Sequence, residues 1–230
     1  MPERPEVGGP GGSAARADLV VRRADERYLT DGDGVRTLHS FSYGAHYDAA
    51  NVGFGALQAI NEERVEPGRG YDAHRHADVE IVTWVLDGVL AHEDTTGQGG
   101  LVRPGTAQRL SAGSGAEHAE RNADPGEPLR FVQTMLRSHH EAEPEYASVD
   151  LVGEGLLPAV SVHADAELLV ARPAGSVLVV AASPRLLVHV TRGRIAVGGH
   201  DLGPGDEVRA TGVGDVEVRG DGEALVWRLG

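Results

Sequence analysis

The chain has 230 residues, a formal charge of −14 and no cysteine, and all 21 of its basic residues are arginine. These facts exclude disulfides and thiolate nucleophiles, Schiff-base chemistry on a lysine and a Walker A loop. A pI near 5.1 suits a soluble protein and is unsuited to gripping a phosphate backbone, so direct nucleic-acid binding is not expected. No apolar run is long enough to span a bilayer, and the opening MPERPEVGGPGGSAARAD has no secretory apolar region. The expected setting is cytoplasmic, with no membrane contact.

Residues 1–17 are rich in Gly, Pro and Ala and are expected to be a disordered tail. Short Val- and Leu-rich runs follow, at 18–21, 80–86, 129–136, 176–181, 186–191, 194–197 and 224–229, separated by Gly, Pro, Asp or Asn. That pattern predicts an all-β protein with many short strands; residues 165–169 are the one place where a helical turn is expected. An internal echo runs through the chain. Val82 to Leu90, turning at Gly88 and followed by Arg103-Pro104-Gly105, parallels Leu187 to Ile195, turning at Gly193 and followed by Gly203-Pro204-Gly205. Each copy reads as strand, glycine turn, strand and Pro-Gly turn, which suggests a duplicated small barrel. The charged stretch 139–146, interrupted by Pro144, is the expected linker. It separates an N-terminal domain, 18–138, from a C-terminal domain, 147–230.

Two histidine pairs carry most of the functional information: His74-Arg75-His76 and His118-Ala119-Glu120. On a strand, residues two apart share a face. Two such pairs on neighbouring strands can aim three imidazoles and one carboxylate at one point, a mononuclear metal site with room for substrate or dioxygen. The C-terminal half has no H-x-H or H-x-E pair, only His163, His189 and His200. One divalent ion per chain is therefore expected, in the N-terminal half. His39, His46 and His92 are read as structural, with His46 in a turn that can flank a cavity. His139-His140 is read as solvated. Phe54 is expected to line a ligand pocket, Trp84 to pack in the core and Asp206 to close a turn.

Gly68-x5-His74-x-His76-x3-Glu80, with Gly88, resembles the first cupin motif, and Gly115-x2-His118-x3-Asn122 resembles the second. More narrowly, the stretches at 39–48, 53–55, 80–88 and 111–120 resemble the pirins, which are bicupins; the likeness runs from about residue 27 to about residue 136. The resemblance implies two jelly-roll β-barrel domains, with metal only in the first. It implies His74, His76, His118 and Glu120 as the metal ligands, and a supporting role for Glu80, although the matching Glu of generic cupins can be a ligand. Iron is the metal it favours, with copper, nickel, cobalt, manganese or zinc compatible with the same donors. The implied activity is that of a quercetin 2,3-dioxygenase, which opens a flavonol with O₂ and releases carbon monoxide, with Glu120 also taking the substrate's hydroxyl proton as catalytic base. The alternative is a metal-containing regulatory binder of a metabolic enzyme or transcription factor, without turnover. The protein is expected to act as a monomer. Three departures from the family pattern, Arg75 and Gly113 where proline is common and Ala77 where arginine is common, bear on substrate identity and remove no ligand.

Overall fold

A computed structural model describes residues 18–139 and 141–230. The expected N-terminal tail and His140 lie outside these residues. In the N-terminal half the strands are β1 (Asp18–Arg22), β2 (Tyr28–Gly32), β3 (Val35–His39), β4 (Leu57–Val65), β5 (Gly70–His76) and β6 (Val79–Asp87). They continue with β7 (Leu90–Asp94), β8 (Gly99–Val102), β9 (Thr106–Ser111), β10 (Ala116–Asn122), β11 (Leu129–Arg137) and β12 (Glu145–Asp150). The C-terminal half adds β13 (Gly155–Pro158), β14 (Ala166–Arg172), β15 (Val177–Val180), β16 (Ser183–Val197), β17 (His200–Leu202), β18 (Glu207–Val213) and β19 (Val216–Leu229). Among the described residues the sole helical element is a 3-10 turn, Ala24–Glu26. No helix there is long and apolar enough to cross a membrane.

The all-β, two-barrel jelly-roll architecture expected from the sequence is present. A seven-stranded sheet, ordered β12-β9-β6-β11-β4-β3-β2, faces a four-stranded sheet, β5-β10-β7-β8. The second half is one eight-stranded sheet following β1-β18-β16-β19-β14-β13, with β15 and β17 paired alongside. Strand β6, VEIVTWVLD, is buried along nearly its whole length. A strand buried on both faces reads as a continuous apolar run rather than an alternation. One face of the wide sheet looks into the first barrel, and the other packs on the second barrel. That junction is a single apolar layer in which Trp84, Leu86, Val132 and Leu136 meet Leu168, Leu187, Leu225 and Trp227. The second barrel has its own aliphatic filling, including Val188, Val190, Ile195, Val208 and Val226.

The strands cross the expected domain limits. β1 pairs with β18 in the second sheet, whereas β12 pairs with β9 in the first. Asp206 helps to hold the first of these connections. Its carboxylate accepts hydrogen bonds from the Gly203 N–H, which closes the Pro-Gly turn as expected, and also from the Ala24 N–H and the Arg23 guanidinium.

Two local expectations are corrected. Residues 165–169 form no helical turn, because from Ala166 onward they pair with β19 and bury Leu168 and Leu169. Gly193 does not end a strand. It lies within the continuous β16, opposite Gly222 and just past a register shift at Val190/Arg192. Its φ is +65°, and a Cβ would come within 2.2 Å of the Asp221 carbonyl oxygen. The bulge lies just before the glycine, which itself pairs in regular register within one long strand and makes no reversal.

A buried polar clamp joins the barrels. Glu223 accepts hydrogen bonds from Trp84 Nε1 (2.9 Å), Thr191 Oγ1 (2.8 Å) and Arg172 Nε (2.9 Å). Glu223→Ala strands Trp84 Nε1 and Arg172 Nε, while Thr191 keeps the backbone carbonyl of residue 223, and each stranded buried donor costs about 1–3 kcal/mol. We expect a loss of at least ~2 kcal/mol, which for a chain of this size is a fall in Tm of about 4–8 °C. Differential scanning calorimetry checks this; an unchanged Tm would show that the clamp contributes nothing.

Candidate metal centre

The histidines sit on the four-stranded sheet, and its register accounts for their meeting. On β10, His118 lies opposite His74 of β5 and Asp94 of β7. One step along, Glu120 lies opposite Tyr71 of β5 and His92 of β7, with a register shift between His118 and Glu120 on the β5 side. Gly70, at the start of β5, permits this pairing. Its φ is +153°, and a Cβ there would fall 2.1 Å from the Glu120 carbonyl oxygen.

His74, His76 and His118 present nitrogen atoms that all lie within 4.8 Å of one another. The Nε2 atoms of His74 and His118 are 3.1 Å apart. Nδ1–H of His74 donates to the Asp72 carbonyl at 2.8 Å, which fixes the tautomer and leaves Nε2 as a lone-pair donor. His76 Nε2 and His118 Nδ1 are buried without a hydrogen-bond partner, an arrangement proteins avoid unless something else satisfies the atom. Two nitrogens each ~2.1 Å from one ion and at right angles lie ~3.0 Å apart. The donor set and its spacing fit a divalent ion. Burial, only partly offset by the nearby Glu120 charge, pushes His118 down to about 4. Burial and His74 also lower His76. Both imidazoles are thus neutral, as ligation requires, at physiological pH.

Glu120 belongs to a second, overlapping group with His118 and His92, also within 4.8 Å. Both its oxygens accept from Gln133 Nε2, at 3.0 and 2.9 Å, and His92 Nδ1 stands 3.9 Å from Oε1. Burial pushes the Glu120 carboxyl up, but the neighbouring His92 and His118 imidazoles and the Gln133 amide outweigh it, leaving the group below the usual range. His92, read from the sequence as structural, is buried between two carboxylates, with Nε2 at 2.9 Å from Asp94 and Nδ1 at 3.1 Å from Gln108 Nε2. Burial lowers its pKa, but Glu120 and Asp94 more than restore it, so it titrates above its ordinary value. His92-Glu93-Asp94 has the same two-residue spacing as the other pairs, and that spacing was the available sequence signal.

The facing sheet supplies the support. His39, Asn61, Gln133, Thr83 and Gln108 form one cross-strand row over β3, β4, β11, β6 and β9, and all are buried. His39 Nδ1 meets Asn61 Oδ1 at 2.9 Å, Gln133 holds Glu120, and Gln108 meets His92. Rows of this kind escape sequence reading, because an isolated polar residue on a strand is ordinarily assigned to the solvent face.

Between the sheets lies a cavity of about 560 Å³ lined by His74, His76, Glu120, Glu63, Tyr43 and His39, among others. That size is typical of small-molecule sites. Phe54, expected here, is not among its lining residues and packs against the inter-barrel core; Tyr43 supplies the aromatic wall instead. His46 makes the expected structural contacts, with Nε2 at 3.1 Å from Thr30 Oγ1 and its ring stacked on Tyr28, while its neighbours Gly44 and Ala45 line the cavity. Glu80 is buried, and its two oxygens accept from the hydroxyls of Ser111 and Ser138.

Glu63 and His118 give stability opposite dependences on pH. Burial pushes Glu63 up to about 7 against hydrogen bonds from Thr37 and Tyr71. Its contribution is complete below the unfolded value of 4.5 and is lost as pH rises through about 7. The His118 contribution is complete above the unfolded value of 6.5 and is lost as pH falls through about 4. Between these unfolded values the two slopes oppose each other. Glu63→Gln removes the first, so the chelator-treated variant should lose Tm more steeply with acid than chelator-treated wild type. Thermal scans across this interval test the assignment, and parallel curves would refute it.

A jelly-roll barrel with histidines and a carboxylate gathered on its inner wall defines a cupin, here paired with a second barrel in one chain. The chain belongs to the pirin family: the family profile, described as pirin, matches residues 21–136. A relative from Mycobacterium tuberculosis, named "Putative quercetin 2,3-dioxygenase", is 37% identical and covers 93% of this chain and 96% of its own length. A relative from Escherichia coli K12, named quercetin 2,3-dioxygenase, is 29% identical and covers 90% of this chain and 96% of its own length. Among solved structures, a bacterial pirin from Escherichia coli in complex with nickel(II) superposes with a TM-score of 0.86 at 27% identity, covering 92% of this chain and 98% of its own.

Proposed function

We propose that this protein is a metal-dependent dioxygenase of the quercetin 2,3-dioxygenase type, opening a flavonol with O₂ and releasing carbon monoxide. The observation that supports the reading is the cluster of His74, His76 and His118, which shares His118 with a second group containing Glu120, beside a cavity that His74, His76 and Glu120 line. The names and full-length coverage of the relatives support it. In this reading His74, His76, His118 and Glu120 hold one divalent ion. Iron is favoured, while nickel, the ion in the similar Escherichia coli pirin, copper, cobalt, manganese and zinc suit the same donors.

The bound ion would supply a positive centre that receives the substrate's oxygen and dioxygen. The chain's own residues do the rest. Glu120 accepts the proton of the substrate hydroxyl. Its depressed pKa keeps it ionised, with its lone pairs unprotonated. Gln133 fixes its orientation through one amide nitrogen shared by both carboxylate oxygens. His92, held by Asp94, stands behind it and favours the ionised form. The walls between the two sheets shelter the reacting ring from bulk water. The setting that goes with this reading is a cytoplasmic monomer acting on a small molecule, without direct nucleic-acid binding.

The test is oxygen uptake and carbon monoxide release with quercetin, alongside metal analysis of protein purified without added metal. Stoichiometric consumption of O₂ and release of carbon monoxide support the proposal. Fully metallated protein that consumes no O₂ with iron, copper, nickel or cobalt overturns it in favour of a regulatory binder.

A further inference from the structure

Glu63 lies on β4 of the seven-stranded sheet and lines the same cavity as His74 and His76, and the residue is 3% exposed. Both of its hydrogen bonds fall on one oxygen: Oε2 accepts from Thr37 Oγ1 at 2.5 Å and from Tyr71 OH at 2.9 Å. Among the described residues no donor reaches Oε1, and Oε1 is not among the sealed atoms that lack a partner. It is therefore open to the cavity. Tyr71 links this carboxyl to the candidate metal site, because its ring meets that of His74 edge-on with centroids 6.2 Å apart.

A purely structural role does not account for a carboxyl here. No arginine or histidine forms an ion pair with Glu63 among the described residues, and a buried carboxyl without a cation is costly. Glutamine would accept the same two hydroxyls without that cost.

The walls also limit the ligand. Neutral hydrogen-bonding groups such as Asn61 and Gln133 stand beside Tyr43 and Met135, and no arginine lines the cavity among the described residues. Its charged wall groups, beyond the histidines, are the carboxyls Asp72, Glu63 and Glu120. A carboxylate or phosphate ligand would face like charge there, whereas a ring carrying several hydroxyls would find partners.

We propose that Glu63 is a second substrate-contacting carboxyl, whose Oε1 hydrogen-bonds a ring hydroxyl of the bound ligand other than the one received by the ion and Glu120. This makes it a specificity-determining residue, and it rests on the flavonol reading of the cavity.

The test measures binding rather than turnover. Anaerobic titrations of the metallated protein are followed by flavonol fluorescence or calorimetry, with quercetin and with a panel of flavonols each lacking one hydroxyl. Wild type should bind one panel member about 10-fold or more weaker than quercetin, as expected for loss of a hydrogen bond to a charged group. Glu63→Gln should weaken quercetin by a similar factor yet bind that one analogue as wild type does. Glu63→Asp, which keeps the charge but withdraws it by one methylene, should fall between them. Metal content and Tm are recorded for each variant, so that misfolding registers separately. A Glu63→Gln protein that is folded and metallated, with the wild-type profile across the panel, overturns the role of Glu63 alone. Wild type that binds no member of the panel overturns the flavonol reading and this inference with it.

Discussion

Glu120→Gln should lower metal-normalised oxygen uptake with a flavonol by about 10²–10⁴-fold, the usual consequence of removing a general base. The amide oxygen can still coordinate, so part of the metal stays, and rates normalised per bound ion separate lost chemistry from lost occupancy. The surroundings sharpen the expectation. Gln133 offers one donor nitrogen to both Glu120 oxygens, and an amide in place of the carboxylate gives up one of those acceptors and points an N–H at a donor. The variant therefore loses its basicity and one of the two contacts that fix its orientation. Glu120→Asp retains charge at a shorter reach and should fall between glutamine and wild type. Equal metal-normalised rates in all three proteins would remove Glu120 from the mechanism.

His118→Ala should empty the site. His118 is the residue shared by both ligand groups, His74–His76–His118 and His92–His118–Glu120, so its loss dismantles both. Substitutions one layer outside a metal site already cost about 10–100-fold in affinity; removing a ligand should exceed ~100-fold. In wild type, an ion at 100 times its Kd adds about 2.7 kcal/mol of stability, and the variant should show none of this. The metal-free Tm should not fall, because His118 is a desolvated imidazole with an unpartnered nitrogen and belongs to none of the apolar clusters that hold the barrels together. Elemental analysis and paired thermal scans with and without metal decide the matter. Wild-type affinity in His118→Ala would exclude it as a ligand.

The all-β class and the meeting of His74, His76 and His118 were legible because both depend on short-range periodicity. Alternation along a strand is a local property, and H-x-H or H-x-E states in three letters that two side chains share a face. The second-barrel strands were legible only in part. Residues 186–191 and 194–197 read as two strands because Gly193 looks like a turn, whereas pairing with β19 carries the chain straight through it. Strand continuity is set by a partner some thirty residues away, and nothing at Gly193 itself announces that partner. Phe54 was misplaced for a similar reason: its position is decided by a second barrel packing on the back of the sheet. His92, Gln133 and Gln108 escaped because each touches the site from a different strand, and their cooperation exists only once the strands are in register.

The pairing of β1 with β18, from Asp18↔Thr211 to Arg22↔Glu207, gives the order of synthesis a physical cost. Strand β1 must wait for β18, far along the chain, before it has this partner, and contacts so distant along the chain form slowly. Until the two pair, the edge of β18 that β1 covers presents a row of bare backbone donors and acceptors. The same row is exposed permanently in any version trimmed past Arg22 or held away by a bulky fusion. Such an edge accepts a strand from any neighbour that offers one. Residues 18–22 thus cover an edge that would otherwise be open to pairing: without them, self-association should increase.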